Sequence, residues 1–209
     1  MAAADEVVTF VLGHLPAVPA RVLEVGAGEG DLARRMAAAG YEVVAVDPQA
    51  STPDVLPIPV DELSEPAASF ESAVAVLSLH HVHRLDESCA HLASLLRPGA
   101  SLIVDELDLD RFDEQAAAWW LEQQEALGIE HDHEHALAAE SVVARLREEL
   151  HPLSRILASL DPYFDLQLAW RGPYLYRWRL GESQRPVEEE LIAAGTLPAI
   201  GVRILGTRV

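Results

Sequence analysis

The chain has 209 residues, half of them hydrophobic, which is enough to bury a core and makes one domain the default expectation. Its 15 basic residues are all arginines, and 34 acidic residues bring the formal net charge to −19. Such a charge repels nucleic acid and anionic membrane surfaces, so we expect neither as a partner. Small molecules remain the expected partners.

The N-terminal segment carries acids where a secretory signal would carry positive charge, and no apolar run is long enough to cross a bilayer. These features predict a cytoplasmic protein. Cys89 is the only cysteine, so no disulfide can form within the chain.

Strand-like and helix-like runs alternate through the first half of the chain, as is typical of βαβ units and a parallel sheet. The predicted elements are a strand at 21–25, a helix at 31–40, strands at 41–47, 56–60 and 71–79, a helix at 86–96, a turn at 97–100 and a strand at 101–107. Two prolines confine the strand at 56–60 to a sheet edge.

The second half departs from this rhythm. Residues 113–160 have a helical pattern, and the strand-like segments 163–170 and 174–180 then bracket a turn. A helix at 186–195 and a closing strand at 199–209 complete the chain.

Three glycines, Gly26, Gly28 and Gly30, follow the first predicted strand and precede a predicted helix. Glycines here expose backbone amides at a helix N-terminus, where a ligand can approach the main chain without meeting a Cβ. Dinucleotide-binding loops have a glycine where Asp31 stands, and this acid would repel a pyrophosphate.

Two acids at strand ends indicate what the loop binds. Glu24 stands two residues before the first glycine and suits a ligand with an ammonium group. Asp47 ends the second predicted strand, where a carboxylate accepts the hydroxyls of a ribose. Together they favour an adenosyl ligand with a cationic amino-acid portion and no phosphates.

With these residues in place, the sequence resembles the class I S-adenosylmethionine-dependent methyltransferases. Four segments carry the resemblance in the family's order, namely the acid-x-Gly-x-Gly-x-Gly motif at 24–30, Asp47-Pro48, the fourth-strand segment 69–85 and the Arg-Pro-Gly turn within 95–107. The resemblance covers about residues 18–110. It implies an α/β, Rossmann-like fold with a seven-stranded, mostly parallel sheet, an antiparallel C-terminal strand and helices on both faces. We expect a single domain over 1–209 with a helical insertion or lid at about 107–160.

The resemblance also implies S-adenosylmethionine as the cofactor. The residues it assigns to cofactor binding are Glu24, Gly26, Ala27, Gly28, Gly30, Asp47, Pro48 and Ser78. The sequence departs from the family at Pro59, which stands where an acid after the third strand often contacts adenine. Asp61 and Glu62 are the substitutes, and an ordinary role as exposed loop acids is an equal alternative for both.

The chemistry is expected beyond the carboxyl ends of the fourth and fifth predicted strands. His81, and after it His80, is the candidate general base or substrate-orienting group, with Glu106 as a supporting acid. Capping or core packing is an equally weighted alternative for both histidines, and His83 is expected at the surface.

Residues 130–140 contain His131, His133 and His135, of which the first and last would share a helix face. Metal binding is the weaker interpretation, because no further ligand is evident elsewhere in the chain, and we predict no metal site. Lining of a substrate pocket is favoured instead. Trp119, Trp120 and Tyr174 are candidates for its apolar walls, although core packing is the better expectation for the tryptophans.

The predicted function is transfer of a methyl group from S-adenosylmethionine to a small molecule whose acceptor atom the sequence leaves open. The alternatives are a non-catalytic protein that binds S-adenosylmethionine, and an aminopropyltransferase or NAD-dependent oxidoreductase built on a similar sheet.

Overall fold

Six strands form one sheet in the computed structural model, which describes residues 5–129 and 138–209. The strands are β1 (Arg21–Val25), β2 (Glu42–Val46), β3 (Phe70–Val76), β4 (Leu96–Leu107), β5 (Phe164–Gly172) and β6 (Gly201–Arg208). Their order across the sheet is β2-β1-β3-β4-β6-β5. The first four strands are parallel, and β6 runs antiparallel to both of its neighbours. The carboxyl ends of β1 to β4 therefore meet at one edge of the sheet.

Helices surround this sheet. They are α1 (Asp5–His14), α2 (Asp31–Ala38), α3 (Leu85–Leu95), α4 (Glu114–Ala126), α5 (Ala139–Glu149), α6 (Leu153–Leu160) and α7 (Arg185–Ala193). Short 3-10 turns lie at Val60–Glu62, Leu79–His81, Leu175–Arg177 and Glu182–Gln184. Side chains fix the start of two helices, since Asp113 accepts the N–H of Ala116 in α4, and Asp110 accepts the N–H of Ser154 in α6.

The core has two main layers because alternate strand residues point to opposite faces of the sheet. On one face, α1 and α2 pack through Val7, Val11, Leu32 and Met36 onto Val22, Val74 and Ile103. On the other face, α3 and α6 pack through Cys89, Leu92, Ile156 and Leu160 onto Leu23, Ala73 and Leu102. The predicted Rossmann-like α/β sheet with an antiparallel C-terminal strand is confirmed.

The sheet has six strands and not the seven that the resemblance implies. Of the eight strand segments predicted from the sequence pattern, two have other structures among the described residues. Segment 56–60 contributes only one parallel bridge, between Val46 and Leu56, since Pro57 and Pro59 have no N–H to donate. Segment 174–180 forms a 3-10 turn instead of a strand.

The predicted turn at 97–100 also differs, because it lies inside β4. The register with β3 shifts there, from Phe70 opposite Leu96 to Ser72 opposite Ser101. The extra residues of β4, including Gly99 at a φ of 78°, form an irregularity in the strand.

The helical pattern predicted for 113–160 corresponds to α4, α5 and α6. His131, His133 and His135 lie outside the described residues. Across 5–129 and 138–209, no helix has the length and apolar character that a membrane crossing requires.

Candidate active site

The glycine loop after β1 packs directly against the turn that follows β3. A Cβ built on Gly26 would lie 2.1 Å from the Cβ of Ser78, so only glycine fits at this position. The N–H groups of Gly26 and Ala27 both donate to the carbonyl of Val46, at 2.8 and 3.1 Å. The ends of β1, β2 and β3 are thereby joined at the sheet edge where ligands of such folds bind.

Gly28 differs from Gly26 in its surroundings. The loop glycines all have positive φ, at 72° for Gly26, 55° for Gly28 and 79° for Gly30. A Cβ on Gly28 would meet no atom within 4 Å among the described residues, so the space beside it is open at the N-terminus of α2. This is the arrangement in which a ligand can lie against bare backbone.

Asp47 holds the loop in this shape. Its Oδ2 accepts the N–H of Gly28 at 2.8 Å, and its Oδ1 accepts the N–H of Gln49 at 2.8 Å. Each carboxylate oxygen has two lone pairs, so both oxygens can accept a further hydrogen bond from a ligand hydroxyl. Pro48 beside it is exposed.

Glu24 lies inside the protein. Its side chain is 3% exposed, and its Oε2 is buried with no hydrogen-bond partner in the described part of the chain. Burial raises the pKa of this carboxyl to about 8, although the N–H of Ala33 and the charge of Arg34 act in the opposite direction. An acid with this pKa is largely protonated at neutral pH until a cation approaches it.

Glu106 organises the turn after β3. Its Oε1 accepts the N–H groups of Ser78, Leu79 and His80 at 3.0, 2.8 and 3.3 Å. Its Oε2 lies 2.7 Å from Nδ1 of His80 and accepts the N–H of Leu107 at 3.1 Å. The Glu106 side chain has no solvent exposure, so it acts on this turn and not on solvent.

The three histidines of the turn have different surroundings. His80 is 5% exposed and is held by Glu106, whereas His81 and His83 are exposed. The rings of His80 and His81 lie 4.3 Å apart between centroids. Although part of the His81 side chain reaches solvent, the protein around the rest of it partly desolvates the ring, and this lowers the pKa of His81.

Asp61 and Glu62 lie in the 3-10 turn at Val60–Glu62. The carboxylate of Asp61 already contacts Arg84 at 3.2 Å and Ser88 at 3.4 Å, both near the start of α3. Glu62 is exposed. Their assignment to cofactor binding stays a prediction.

An apolar cluster lies beyond the carboxyl end of β4, beside the turn that carries His80. Trp120 stacks on Trp178 at 4.4 Å between ring centroids and donates its Nε1–H to the Trp178 carbonyl at 2.8 Å. Leu77, next to Ser78 in sequence, packs against this cluster together with Trp119, and Tyr174 is part of it. The expected core packing of the tryptophans and a wall beside the site are therefore compatible.

Buried charged residues that the sequence interpretation missed brace this region. Asp105 is 1% exposed and lies between Arg177, at 2.7 Å, and Arg203, at 3.0 Å. Arg203 also pairs with Glu6 of α1 at 3.1 Å. Asp105 could have been recognised in the sequence as a charged residue inside the apolar run of the fifth predicted strand.

A second buried carboxylate explains the lost strand at 174–180. Glu188 of α7 has no solvent exposure and accepts three consecutive N–H groups, those of Tyr174, Leu175 and Tyr176, at 2.7, 2.9 and 2.8 Å. These donors are thus unavailable to a sheet neighbour. Burial also raises the pKa of Tyr174.

With this geometry in view, comparison with known proteins decides the family. The family model described as "Methyltransferase domain" matches residues 2–141, which is more than half of the chain. The chain belongs to this methyltransferase family. The prediction of an S-adenosylmethionine-dependent methyltransferase is confirmed at the level of the family.

The sequence match to curated relatives covers only part of this chain and part of theirs. A protein of Mycobacterium tuberculosis described as an uncharacterised methyltransferase is 37% identical over 97 residues, which span 42% of this chain and 40% of the relative. The match thus spans well under half the length of the curated relatives.

Solved structures match across the whole chain. A methyltransferase of Anabaena variabilis, described as belonging to an antibiotic biosynthesis pathway, has a TM-score of 0.62 at 18% identity and covers 100% of this chain and 98% of its own. The 1,6-didemethyltoxoflavin N1-methyltransferase of Burkholderia thailandensis, solved with its substrate and S-adenosylhomocysteine, has a TM-score of 0.57 at 18% identity and covers 98% and 77%. At these identities the likeness concerns the fold.

Proposed function

We propose that the methyltransferase transfers a methyl group from S-adenosylmethionine to a small-molecule acceptor, with His80 as the general base. The observation that carries the proposal is the buried pair formed by Glu106 and His80. It lies in the turn that packs, through Ser78, against the glycine loop at Gly26. The candidate cofactor loop thus packs against Ser78, two residues before the candidate base.

The residues at the sheet edge fit S-adenosylmethionine. The open space beside Gly28 suits the close approach of a ligand to backbone, and Asp47 has lone pairs left for ribose hydroxyls. The unpartnered Oε2 of Glu24 suits an ammonium group. Ala27, Gly30 and Pro48 would complete the wall of this site. When bound, the cofactor would supply an electrophilic methyl group on a sulfonium.

The Glu106–His80 pair has the chemistry of an oriented base. A carboxylate only accepts hydrogen bonds, so Nδ1 of His80 carries the proton of that contact and the lone pair of a neutral ring lies on Nε2. This nitrogen can take a proton from an acceptor hydroxyl or ammonium as the methyl group is transferred. Within 5–129 and 138–209, the ring of His81 has no comparable partner, and this favours His80 over His81, reversing the order of preference given by the sequence.

The surroundings favour an apolar or aromatic acceptor. Trp120, Trp178 and Leu77 form an apolar wall next to the turn, and a net charge of −19 disfavours an anionic acceptor such as a phosphate ester. The Burkholderia thailandensis enzyme among the structural neighbours is, by its name, an N1-methyltransferase of 1,6-didemethyltoxoflavin. This precedent supports a small-molecule acceptor.

Two measurements test the proposal. Calorimetry should detect binding of both S-adenosylmethionine and S-adenosylhomocysteine, and release of S-adenosylhomocysteine should be screened over apolar hydroxylated, phenolic and amine acceptors. With a working acceptor, His80→Gln should lower kcat by ~10²–10⁴-fold, whereas His81→Gln should change it by less than about fivefold. Binding without turnover on every acceptor would favour a non-catalytic binding protein, and equal effects of the two variants would exclude His80 as the specific base.

A further inference from the structure

The turn that carries His80 is held from two opposite sides. Its N–H groups donate to Glu106, as described above, but two of its carbonyls face another element. The carbonyl of His80 accepts the N–H of His151 at 3.0 Å, and the carbonyl of Val82 lies 2.9 Å from Nε2 of His151. A single residue between α5 and α6 therefore contacts both ends of the turn's carbonyl side.

The ring contact fixes the tautomer of His151. A carbonyl oxygen only accepts, so Nε2 of His151 must carry the hydrogen and donate it to Val82. Both the neutral ring with a proton on Nε2 and the protonated ring meet this requirement. The contact therefore persists whichever of these two charge states the ring has.

His151 is itself firmly held. It is followed by Pro152 and by the first turn of α6, where Ser154 donates its N–H and its hydroxyl to Asp110 at 2.7 and 3.0 Å. Further along α6, Ile156 is fully buried in the core layer shared with α3. Because His151 directly precedes a packed helix, the position of α6 helps to determine where the His151 ring contacts the turn.

We infer that His151 is a positioning residue for His80, tying the α5–α6 connection to the turn so that the orientation of the base depends on both Glu106 and α6. The inference rests on the proposed role of His80 as the base. Loss of the ring donor leaves the Val82 carbonyl without this partner and gives the turn more freedom. Because proton transfer needs a held geometry, we expect the loss to appear in kcat more than in cofactor affinity.

Three variants of His151 separate the donor from the ring. His151→Phe keeps a ring of similar size without a donor, His151→Gln places an amide N–H near the position of Nε2, and His151→Asn has the same amide on a side chain one methylene shorter. Arg155→Met is the matched control, because it removes a contact between α6 and Asp86 of α3 without touching the turn.

The readouts are amide hydrogen exchange of a peptide spanning residues 77–83, affinity for S-adenosylhomocysteine by calorimetry, and kcat with the best acceptor found. We expect His151→Phe and His151→Asn to speed exchange of the turn by about five- to tenfold and to lower kcat by about tenfold, with Kd within about twofold of wild type. His151→Gln should restore both values, and Arg155→Met should change neither.

Several outcomes would overturn the inference. They are unchanged exchange of the turn in the Phe or Asn variant, failure of Gln to restore it, and an equal effect of Arg155→Met. If the Phe variant does not fold, the comparison of Gln with Asn decides the question alone. A wild-type protein that binds neither cofactor form contradicts the proposed function, and the exchange data still decide separately whether His151 holds the turn.

Discussion

Glu24→Gln should abolish a proton release that accompanies cofactor binding. The Glu24 carboxyl is 3% exposed, and its burial raises the pKa to about 8. A group with that pKa is roughly 90% protonated at pH 7. An ammonium within about 4–6 Å favours the ionised form, so binding should release up to ~0.9 proton from this residue.

The same burial gives the unliganded protein a distinct pH dependence. The pKa of Glu24 is raised above its unfolded value of 4.5, so the folded state binds more protons than the unfolded state between about pH 5 and 8. The free energy of unfolding therefore falls as the pH rises through that window. Glutamine cannot ionise, so the free energy of unfolding of Glu24→Gln should exceed that of wild type by on the order of a few kcal/mol at pH 8 and by little at pH 5.

Calorimetry with S-adenosylhomocysteine in phosphate and in Tris, both at pH 7, measures the released proton. The observed enthalpy of wild type should differ between the buffers by ~0.9 of the difference in their ionisation enthalpies, beyond whatever the ligand amino group contributes. That contribution is the same for Glu24→Gln and cancels in the comparison. Equal buffer dependence in the two proteins, with binding retained, would show that Glu24 does not face the ammonium group.

Substitution of the two loop glycines should lower the free energy of unfolding by different amounts. Gly26→Ala should cost more than ~3 kcal/mol because its new Cβ would clash with Ser78, whereas Gly28→Ala should cost only ~1–2 kcal/mol of backbone strain. Equal melting temperatures would contradict this. Glu106→Gln should move the ring proton of His80 from Nδ1 to Nε2, visible by nitrogen NMR, and lower kcat by ~10³–10⁴-fold, as expected for a base held in the wrong tautomer. Retention of the Nδ1 proton would refute it. Gln124 is fully buried, and its amide atoms have no partner within the described ranges, so Gln124→Leu should raise the melting temperature by ~2–6 °C. A lower value in a thermal scan would show that the amide is paired in solution.

The parallel half of the fold could be predicted from the sequence because each element has its own local signal. The β-branched run at Arg21–Val25 and the glycines after it identify strand, turn and helix without reference to the rest of the chain. The strand predicted at 174–180 failed for the opposite reason. Its aromatic, alternating pattern favours a strand, but the carboxylate of Glu188, more than ten residues downstream, takes three of its N–H groups.

The candidate site was predictable in its residue types and less so in their arrangement. His80 and His81 are adjacent and equivalent in the sequence, and only the fold shows that one is buried beside Glu106 while the other is exposed. His151 gave no local signal at all, because its partners are the carbonyls of residues some seventy positions earlier. Contacts of this kind depend on how α6 packs, and the pattern of residues adjacent in the sequence does not reveal this packing.

The acidic composition suggests a solvated surface, but the acids that organise this protein are buried. Glu106 and Glu188 use the same device, a carboxylate that accepts three consecutive backbone N–H groups and so fixes a tight turn at the end of the sheet. The difference between them is the ring of His80, which takes the remaining acceptor capacity of Glu106. Among the described residues Glu188 has backbone partners, which suit it to shaping a turn, whereas Glu106 also holds a histidine ring, which suits it to orienting a base. This difference is why we propose the turn after β3, and not the turn held by Glu188, as the place of the chemistry.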